Sequence, residues 1–431
     1  MRLRRFLLWN KNITRNATIW NFAGNVILSC QSVLMLMILT RTAGLAASGI
    51  FTIAYADANL FLNIGKFGMR TYQVSDVDRR FSFRDYIASR RVTTVLMMAV
   101  ALIYVFWASF ANDYPAEKTS IIIWMLIFKA PDAIEDVFYG EYQRRNRLDV
   151  AARCMTVRLA VTTLVFGLAI FLTRDLLQSL ICSSAVTYVL LFLLLFITAA
   201  PFSAQSRQKS GTGNYNTLLK ECFPLFAGAF LSLYICFAPR YAIDATLSDD
   251  LQAYYGFISM PTFVIGLLNS AVYSPFLYRL SCQWNDGRIA RFRKHILMQV
   301  GCAAAITAVC MAGAWFIGVP VLSWIYASDI SRYRREMMIL LLGGGFLGIS
   351  DFLCAVLVIM RRMSAVLTGY TLVAVPALLC TNVIVRKFGL TGASYTYLVL
   401  MAAVCLCFTV TLLWGMEERM RSGTAAGRRR G

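Results

Sequence analysis

The sequence is short of charged residues and of histidine. Only 15% of its 431 residues are charged, one histidine is present, and 58% of the residues are hydrophobic. A water-soluble domain has no need of such a composition. The twelve cysteines lie mostly in apolar segments without the paired spacing of a zinc site, so we interpret them as small buried hydrophobic residues. The sequence therefore predicts a membrane protein without a metal centre.

Apolar stretches recur from one end of the chain to the other. A membrane-spanning helix needs about 20 mostly apolar residues, because the hydrocarbon core is about 30 Å thick. A segment rich in Ser, Gly, Gln and Asn, residues 201–220, separates two sets of six such stretches. The predicted spans are 18–39, 46–65, 92–111, 119–139, 154–173 and 176–198, then 222–242, 253–276, 296–318, 337–359, 364–385 and 393–414.

These spans predict an all-α polytopic membrane protein of about twelve transmembrane helices. The domain boundaries that follow are an N-terminal six-helix bundle at 1–205, a cytoplasmic linker at 206–220, a C-terminal six-helix bundle at 221–416 and a basic cytoplasmic tail at 417–431.

The net charge of +20 is explained by where the basic residues lie. Most Lys and Arg residues fall in loops on the same side as the N-terminus, and the opposite loops hold at most three each. Cytoplasmic loops carry such an excess, and anionic headgroups attract it. We therefore expect both termini in the cytoplasm, a location in the bacterial inner membrane, contact with membrane lipids and no nucleic-acid partner.

The fourth predicted span carries four ionisable residues. Lys129, Asp132 and Asp136 lie at positions i, i+3 and i+7, which places them on one helix face, with Glu135 at its edge. Each charge costs about 3 kcal/mol at the centre of an inserted helix and is retained for a reason. The pattern predicts a face that lines a hydrated cavity. The alternative is a structural Lys129–Asp132 pair that holds helices together.

The second predicted span has a weaker polar stripe. Asn59, Asn63, Lys66 and Arg70 lie within about 60° of one another at helical spacing. Lys66 and Arg70 either contribute to a functional site or extend their side chains to the headgroups.

Further charges lie at isolated positions within or beside the spans. Asp57 points away from the polar stripe, and its candidate partners are Arg41 and Lys129. Arg240 lies near the end of the seventh span, and Asp351 lies inside the tenth. Asp351 follows the segment Gly-Gly-Gly-Phe-Leu-Gly at 343–348, in which the spacing of the glycines is typical of close helix packing.

Several short motifs resemble those of a known family. They are Asn-Phe-Ala-Gly at 21–24, Thr-Arg-x-x-Gly at 40–44, Ile-Gly-x-Phe-Gly at 64–68, the segment 70–76, Tyr-Gly-Glu-Tyr-Gln at 139–143, Pro-x-Leu-x-Arg-Leu at 275–280 and Phe-Gly-Leu-x-Gly-Ala at 388–393. Together they resemble the Wzx-type polysaccharide flippases of the multidrug/oligosaccharidyl-lipid/polysaccharide exporter superfamily. None of these motifs is a catalytic signature.

The resemblance implies two six-helix bundles around a central cavity and movement of a polyprenyl-pyrophosphate-linked oligosaccharide to the outer leaflet. Cations in such a cavity can hold the pyrophosphate, and the candidates by position are Arg41, Lys66, Arg70, Lys129 and Arg240. Carboxylates can bind a coupling proton or sodium ion, and the candidates are Asp57, Asp132, Glu135, Asp136 and Asp351. A polysaccharide polymerase and a chain-length regulator are possible partners. No further cofactor is expected.

Two alternatives remain open. A small-molecule exporter of the same superfamily agrees with the acidic fourth span. A membrane enzyme of polysaccharide assembly agrees less well, because the predicted outer loops are short and the one histidine, His295, lies in a cytoplasmic basic loop. We expect a transporter and no catalytic residues.

Overall fold

The computed structural model describes residues 2–8, 12–76, 80–203 and 214–428. Residues 206–213 of the predicted linker and 429–431 of the predicted tail lie outside the described residues. Within those ranges the regular structure is helical and contains no strand. The α-helices are α1 (Arg2–Leu7), α2 (Ile13–Lys66), α3 (Met69–Ser75), α4 (Phe83–Ala111), α5 (Ala116–Arg144), α6 (Leu148–Thr173), α7 (Leu176–Ser203), α8 (Tyr215–Thr246), α9 (Asp249–Tyr273), α10 (Leu277–Asn285), α11 (Ile289–Gly313), α12 (Val319–Tyr326), α13 (Arg334–Ile359) and α14 (Met363–Arg428).

The described helices account for the predicted membrane crossings. Nine of the helical segments in this part of the chain are long and apolar enough to cross a membrane. Two of these nine, which contain α2 and α14, each hold two predicted spans on either side of a kink. Helix α5 is not among the nine, although its 29 residues suffice in length, because it carries too many charges. Twelve crossing segments result within the described ranges, and the predicted all-α polytopic membrane fold is confirmed.

Glycines make the two kinks. Gly44 has φ 89° and ψ −173°, and Gly389 has φ 59° and ψ −141°. These backbone angles are essentially restricted to glycine, because a Cβ atom would collide with the neighbouring peptide groups. A single residue can therefore separate two consecutive spans without an intervening loop.

Replacing Gly44 by alanine is expected to destabilise the fold by about 1–3 kcal/mol. Beyond the adjoining backbone, no atom of the described residues lies within 4 Å of the position that a Cβ would occupy, so the loss reports backbone strain. Gly228→Ala is the matched control. A Cβ added at Gly228 would also meet open space, but Gly228 lies within helix α8, where alanine causes no backbone strain. Thermal unfolding in detergent should show a lower midpoint for Gly44→Ala only. Equal midpoints would contradict the assigned kink.

The chain divides into two compact units, Met1–Phe230 and Leu231–Gly431, and the division lies within α8. In the first unit, α5 is the central helix and packs against α2, α4, α6 and α7. The first turns of α8 belong to this unit, where Leu218 and Cys222 are buried in an apolar cluster with Phe81 and Tyr86. The domain boundaries expected from the sequence stay predictions.

In the second unit, α13 is central and packs against α9, α11 and α14. Its glycines allow this close approach. A Cβ on Gly343 would lie 2.6 Å from the ring of Tyr397, and one on Gly345 would lie 2.5 Å from Thr307. The glycine run thus has the packing role that its spacing predicts. The middle of α13 consists mainly of glycine and apolar residues, whereas the middle of α5 carries four charged residues.

Candidate functional site

Six charged side chains of α5 are buried in the first unit, and four of them lie close together in the middle of the helix. Lys129 is 2% exposed, Glu135 4%, Asp136 7% and Asp132 8%. Helix α5 continues through Pro131 without a break, so these residues keep the helical spacing that places three of them on one face. Buried charges are stable only when they are paired and hydrogen-bonded. Neighbouring helices supply the partners.

Arg158 of α6 neutralises two of these carboxylates. Its Nη2 atom lies 2.6 Å from Oε1 of Glu135, and its Nε donates to Oε2 of the same carboxylate at 2.7 Å. The guanidinium also donates to Asp132. Arg158 is itself 2% exposed. A planar guanidinium with several donors suits such a bidentate contact, whereas an ammonium group offers no matching geometry.

Lys129 occupies the other side of Asp132. Its Nζ lies 3.6 Å from Oδ2 of Asp132 and donates to the hydroxyl of Tyr55 at 3.1 Å and to the amide oxygen of Gln31 at 3.3 Å. The ammonium also lies 4.5 Å from the centre of the Tyr55 ring, within the range of a cation–π interaction. Neutral groups of α2 therefore supply most of the contacts of Lys129.

Arg90 of α4 neutralises Asp136. The two side chains meet at 2.7 Å, and Arg90 also donates to the backbone carbonyl of Gly65. Arg70 of α3 lies farther away, at 3.9 Å from Asp136, and donates to Gln143 at 3.0 Å. The side chain of Arg70 is 32% exposed, so its attraction to Asp136 is weakened by solvent screening.

These contacts form one group of neighbouring charges, which we call the α5 network: Lys129, Asp132, Glu135, Asp136, Arg90 and Arg158. It contains as many cations as carboxylates. Within the residues that the structure describes, the charged face of α5 meets protein and not open solvent, which corrects the expectation of a hydrated face. The reason is that α4 and α6 each supply an arginine. The functional roles suggested for Lys129, Asp132, Glu135 and Asp136 stay predictions.

The predicted polar stripe on the second span is interrupted. Helix α2 ends at Lys66, and Phe67 and Gly68 have positive φ values of 51° and 65°. Arg70 therefore lies on α3, and the continuous helical face expected from the spacing is wrong. The side-chain amide of Asn63 donates a hydrogen bond to the Asn59 backbone carbonyl at 3.0 Å.

Lys66 lies near the α5 network without joining it. The residue is partly buried and adds a positive charge near Asp132. Its ammonium forms no hydrogen bond or ion pair with any residue in the described ranges. Elsewhere on α2, Asp57 is 2% exposed and Arg41 is exposed. The structure thus gathers Arg70 and the four α5 residues in one region, with Lys66 beside them.

The two remaining predicted residues lie in the second unit. Arg240 of α8 donates to the Ser259 hydroxyl at 2.9 Å, and its guanidinium carbon lies 5.4 Å from the centre of the Phe237 ring. It forms no ion pair with a carboxylate among the described residues. Asp351 of α13 is partly buried and likewise has no ion-pair partner in that part of the chain.

Sequence reasoning overlooked two members of the α5 network. Arg158 lies four residues inside the predicted fifth span, and Arg90 lies two residues before the third. Ionisable residues inside a span are rare and usually have a polar partner, so the position of Arg158 could have identified it. Arg90 gave no comparable signal, because basic residues at span ends are common. Among the described residues no group of three or more His, Cys, Asp or Glu side chains could hold a metal ion.

The arrangement of helices is shared with solved transporters. The lipid II flippase MurJ, in an inward closed conformation, matches with a TM-score of 0.69 and 13% identity over 93% of this chain and 90% of that chain. The fold of this chain resembles that of the flippase. An inward-facing multidrug resistance MATE family transporter of the MOP superfamily matches with a TM-score of 0.67 and 13% identity, over 91% of this chain and 95% of the other.

A third solved structure extends the likeness. The Vibrio cholerae MATE transporter VcmN matches with a TM-score of 0.66 and 13% identity over 95% of this chain and 97% of that one. No family model matches the sequence, and no curated protein matches it at the sequence level. At such low identity the likeness shows the fold and leaves the substrate open. The structures matched are transporters and a flippase.

Proposed function

We propose that this protein moves a polyprenyl-pyrophosphate-linked oligosaccharide from the inner to the outer leaflet of the bacterial inner membrane by alternating access. The transporter fold supports this proposal, and so do the Wzx-type motifs. A glycan headgroup cannot cross hydrocarbon unaided, since each unsatisfied polar group costs several kcal/mol there. A transporter of this kind needs charged groups that recognise the phosphates and an apolar path for the lipid.

The observation that carries the proposal is the balance of charge around α5. Asp132 and Glu135 each lie within 2.7 Å of Arg158, and Asp136 lies at that distance from Arg90. The acidity of the fourth span is thereby neutralised within the first unit. The cations outside the network include Lys66 and Arg240, which have no carboxylate partner among the described residues. These two side chains are positively charged, which favours an anionic headgroup.

The alternative is export of small molecules, as the name of the multidrug resistance MATE transporter suggests for that protein. Its support in the sequence was the acidic fourth span, because an exporter of cations needs a surplus of negative charge. The pairing of those carboxylates with Arg158 and Arg90 removes that surplus. A membrane enzyme of polysaccharide assembly has still less support.

The driving force and the partners belong to the same proposal. A proton or sodium ion is the proposed coupling ion, with Asp57 and Asp351 as candidate sites because neither belongs to the α5 network. Both termini are proposed to be cytoplasmic. A polysaccharide polymerase and a chain-length regulator are the proposed protein partners, since a flipped repeat unit must be consumed in the outer leaflet.

Depletion of the protein from its native cells is expected to remove surface polysaccharide and to leave drug susceptibility unchanged. Surface glycan is measured by gel electrophoresis of cell-envelope extracts, and susceptibility is measured with a panel of cationic dyes and drugs. A plasmid copy of the wild-type gene is the control and should restore the glycan. Raised susceptibility with normal surface glycan would contradict the proposal and support the small-molecule exporter.

A further inference from the structure

A surface pocket of the second unit combines apolar walls with a basic rim. Its volume is about 600 Å³, and its apolar walls include Met311 of α11, Trp315, and Met338 and Leu342 of α13. Trp315 lies in a π-helical turn, Ala314–Gly318, that follows α11. Such turns are rare and occur frequently at functional sites. Trp315 is 49% exposed, so the pocket opens on the surface of the protein.

Three arginines form the rim of this pocket: Arg332, Arg334 and Arg335. The guanidinium carbon of Arg334 lies 5.5 Å from the centre of the Trp315 ring, and Arg335 donates to the Tyr395 hydroxyl at 3.1 Å. None of the three forms an ion pair with a carboxylate in the described part of the chain. The rim therefore carries an uncompensated positive charge beside an apolar surface.

The acidic residues nearest in the sequence are engaged elsewhere. Asp329 accepts a hydrogen bond from the backbone N–H of Ser331 at 2.9 Å. Glu336 is buried and accepts from the Thr391 hydroxyl at 2.6 Å. Neither carboxylate neutralises the arginine rim, which remains available to an external anion.

Two general rules argue against basic residues at this place. The charge distribution predicts that the loop between α12 and α13 faces outward, and outward loops are usually poor in Lys and Arg. Arg334 is also the first residue of α13, where the helix dipole repels a cation. Topology explains the basic loops on the cytoplasmic side and does not explain these three arginines. A ligand of opposite charge does.

We propose that the pocket binds one anionic glycerophospholipid of the outer leaflet. Its phosphate contacts the guanidinium groups of Arg332 and Arg334, and one acyl chain lies along Met311, Met338 and Leu342. Guanidinium groups bind phosphate through paired N–H donors, and basic pockets between membrane helices bind lipid headgroups. The half-exposed Trp315 is typical of the membrane interface, the depth at which lipid phosphates lie. This lipid site is independent of the proposed transport activity.

The test is a lipid titration of the full chain in detergent, followed by native mass spectrometry. The probes are phosphatidylglycerol and phosphatidylcholine of equal chain length. Wild-type protein should retain one phosphatidylglycerol molecule with an apparent affinity about tenfold or more above that for phosphatidylcholine, because charge-assisted hydrogen bonds to phosphate are strong. Arg332→Gln/Arg334→Gln should lose this preference. The matched control, Arg291→Gln/Arg293→Gln, removes the same charge from exposed positions on α11 and should retain it.

Several results would overturn the proposal. They are equal binding of the two phospholipids, an unchanged preference in the double variant, displacement of the lipid by millimolar inorganic phosphate, or retention of polyprenyl phosphate to the exclusion of phosphatidylglycerol. Arg332→Gln alone serves if the double variant does not fold, because Arg332 lies in a short 3₁₀ turn, Ser331–Tyr333, outside the long helices. That single variant should still weaken phosphatidylglycerol binding by several-fold.

Discussion

Arg158→Met is expected to remove most of the folded protein from the membrane. Arg158 is 2% exposed and hydrogen-bonds to both Asp132 and Glu135, so its loss leaves two carboxylates in the protein interior without their main partner. Breaking a buried ion pair by removing one member costs about 3–5 kcal/mol. Methionine fills a similar volume, so the loss reports charge and hydrogen bonding more than packing. The measurement is the amount of full-length protein in isolated membranes and its thermal unfolding midpoint in detergent.

Lys129→Met is the matched control, because it removes the same charge from the same region. Asp132 keeps its contact with Arg158 in this variant, and the groups left by the lysine, Tyr55 and Gln31, are neutral. We expect a distinctly smaller loss of protein than with Arg158→Met. If the two variants were equally stable, or if Arg158→Met matched the wild type, the assignment of Arg158 as the partner that holds the α5 network together would be wrong.

Lys66→Gln/Arg240→Gln is expected to abolish transport while the protein folds normally. Neither side chain has a carboxylate partner among the described residues, so neutralising them breaks no ion pair. A charge-assisted hydrogen bond to phosphate is worth about 1.5–3 kcal/mol, so each substitution should weaken substrate binding roughly tenfold or more. The double variant should therefore move substrate at close to the background rate.

The control for that variant is Arg84→Gln/Arg91→Gln, which removes two exposed cations from α4 in the first unit. Its transport rate should equal that of the wild type, because exposed single charges contribute little. An equal loss of transport in both double variants would mean that net charge alone matters, and the specific roles of Lys66 and Arg240 would then be wrong.

The buried α5 network changes how the charges of the first unit are interpreted. The network holds three cations and three carboxylates, and each of these side chains is less than 9% exposed. Such a balanced, buried set has the character of a structural core more than of a binding surface. Substrate phosphates would have to compete with carboxylates already held at close range. The proposed recognition of an anionic headgroup therefore depends on cations outside the network, such as Lys66, whose positive charge lies near Asp132.

The helices could be predicted well because every membrane-spanning helix needs a stretch of about 20 mostly apolar residues. The apolar runs gave twelve spans, and the break placed between residues 39 and 46 agrees with the kink at Gly44. The prediction that Arg70 shares a helix face with Lys66 is wrong for a local reason. Phe67 and Gly68 adopt left-handed backbone angles, which end α2 before Arg70. The predicted span ends at residue 65, one residue before α2 ends, but the hydrophobic pattern does not show that Phe67 and Gly68 leave the helical conformation before α3 begins.

The candidate site could be predicted only in part, because its partners come from distant positions. The spacing of Lys129, Asp132 and Asp136 on one helix face follows from helical geometry. Whether that face contacts water or arginine side chains depends on how α4 and α6 pack against α5. This packing cannot be predicted from the sequence of α5 alone. The helical spacing allowed both a cavity face and a structural pair for Lys129 and Asp132, and the structure includes their contact in a larger network.

The most direct test of the account is movement of a fluorescent polyprenyl-pyrophosphate oligosaccharide across the bilayer of proteoliposomes that contain the purified protein. We predict that wild-type protein, with an imposed proton or sodium gradient, exposes the glycan to an impermeant quencher faster than protein-free vesicles do, and that Lys66→Gln/Arg240→Gln does not. Rates equal to those of empty vesicles for the wild type, together with gradient-driven transport of a cationic dye, would contradict the central claim.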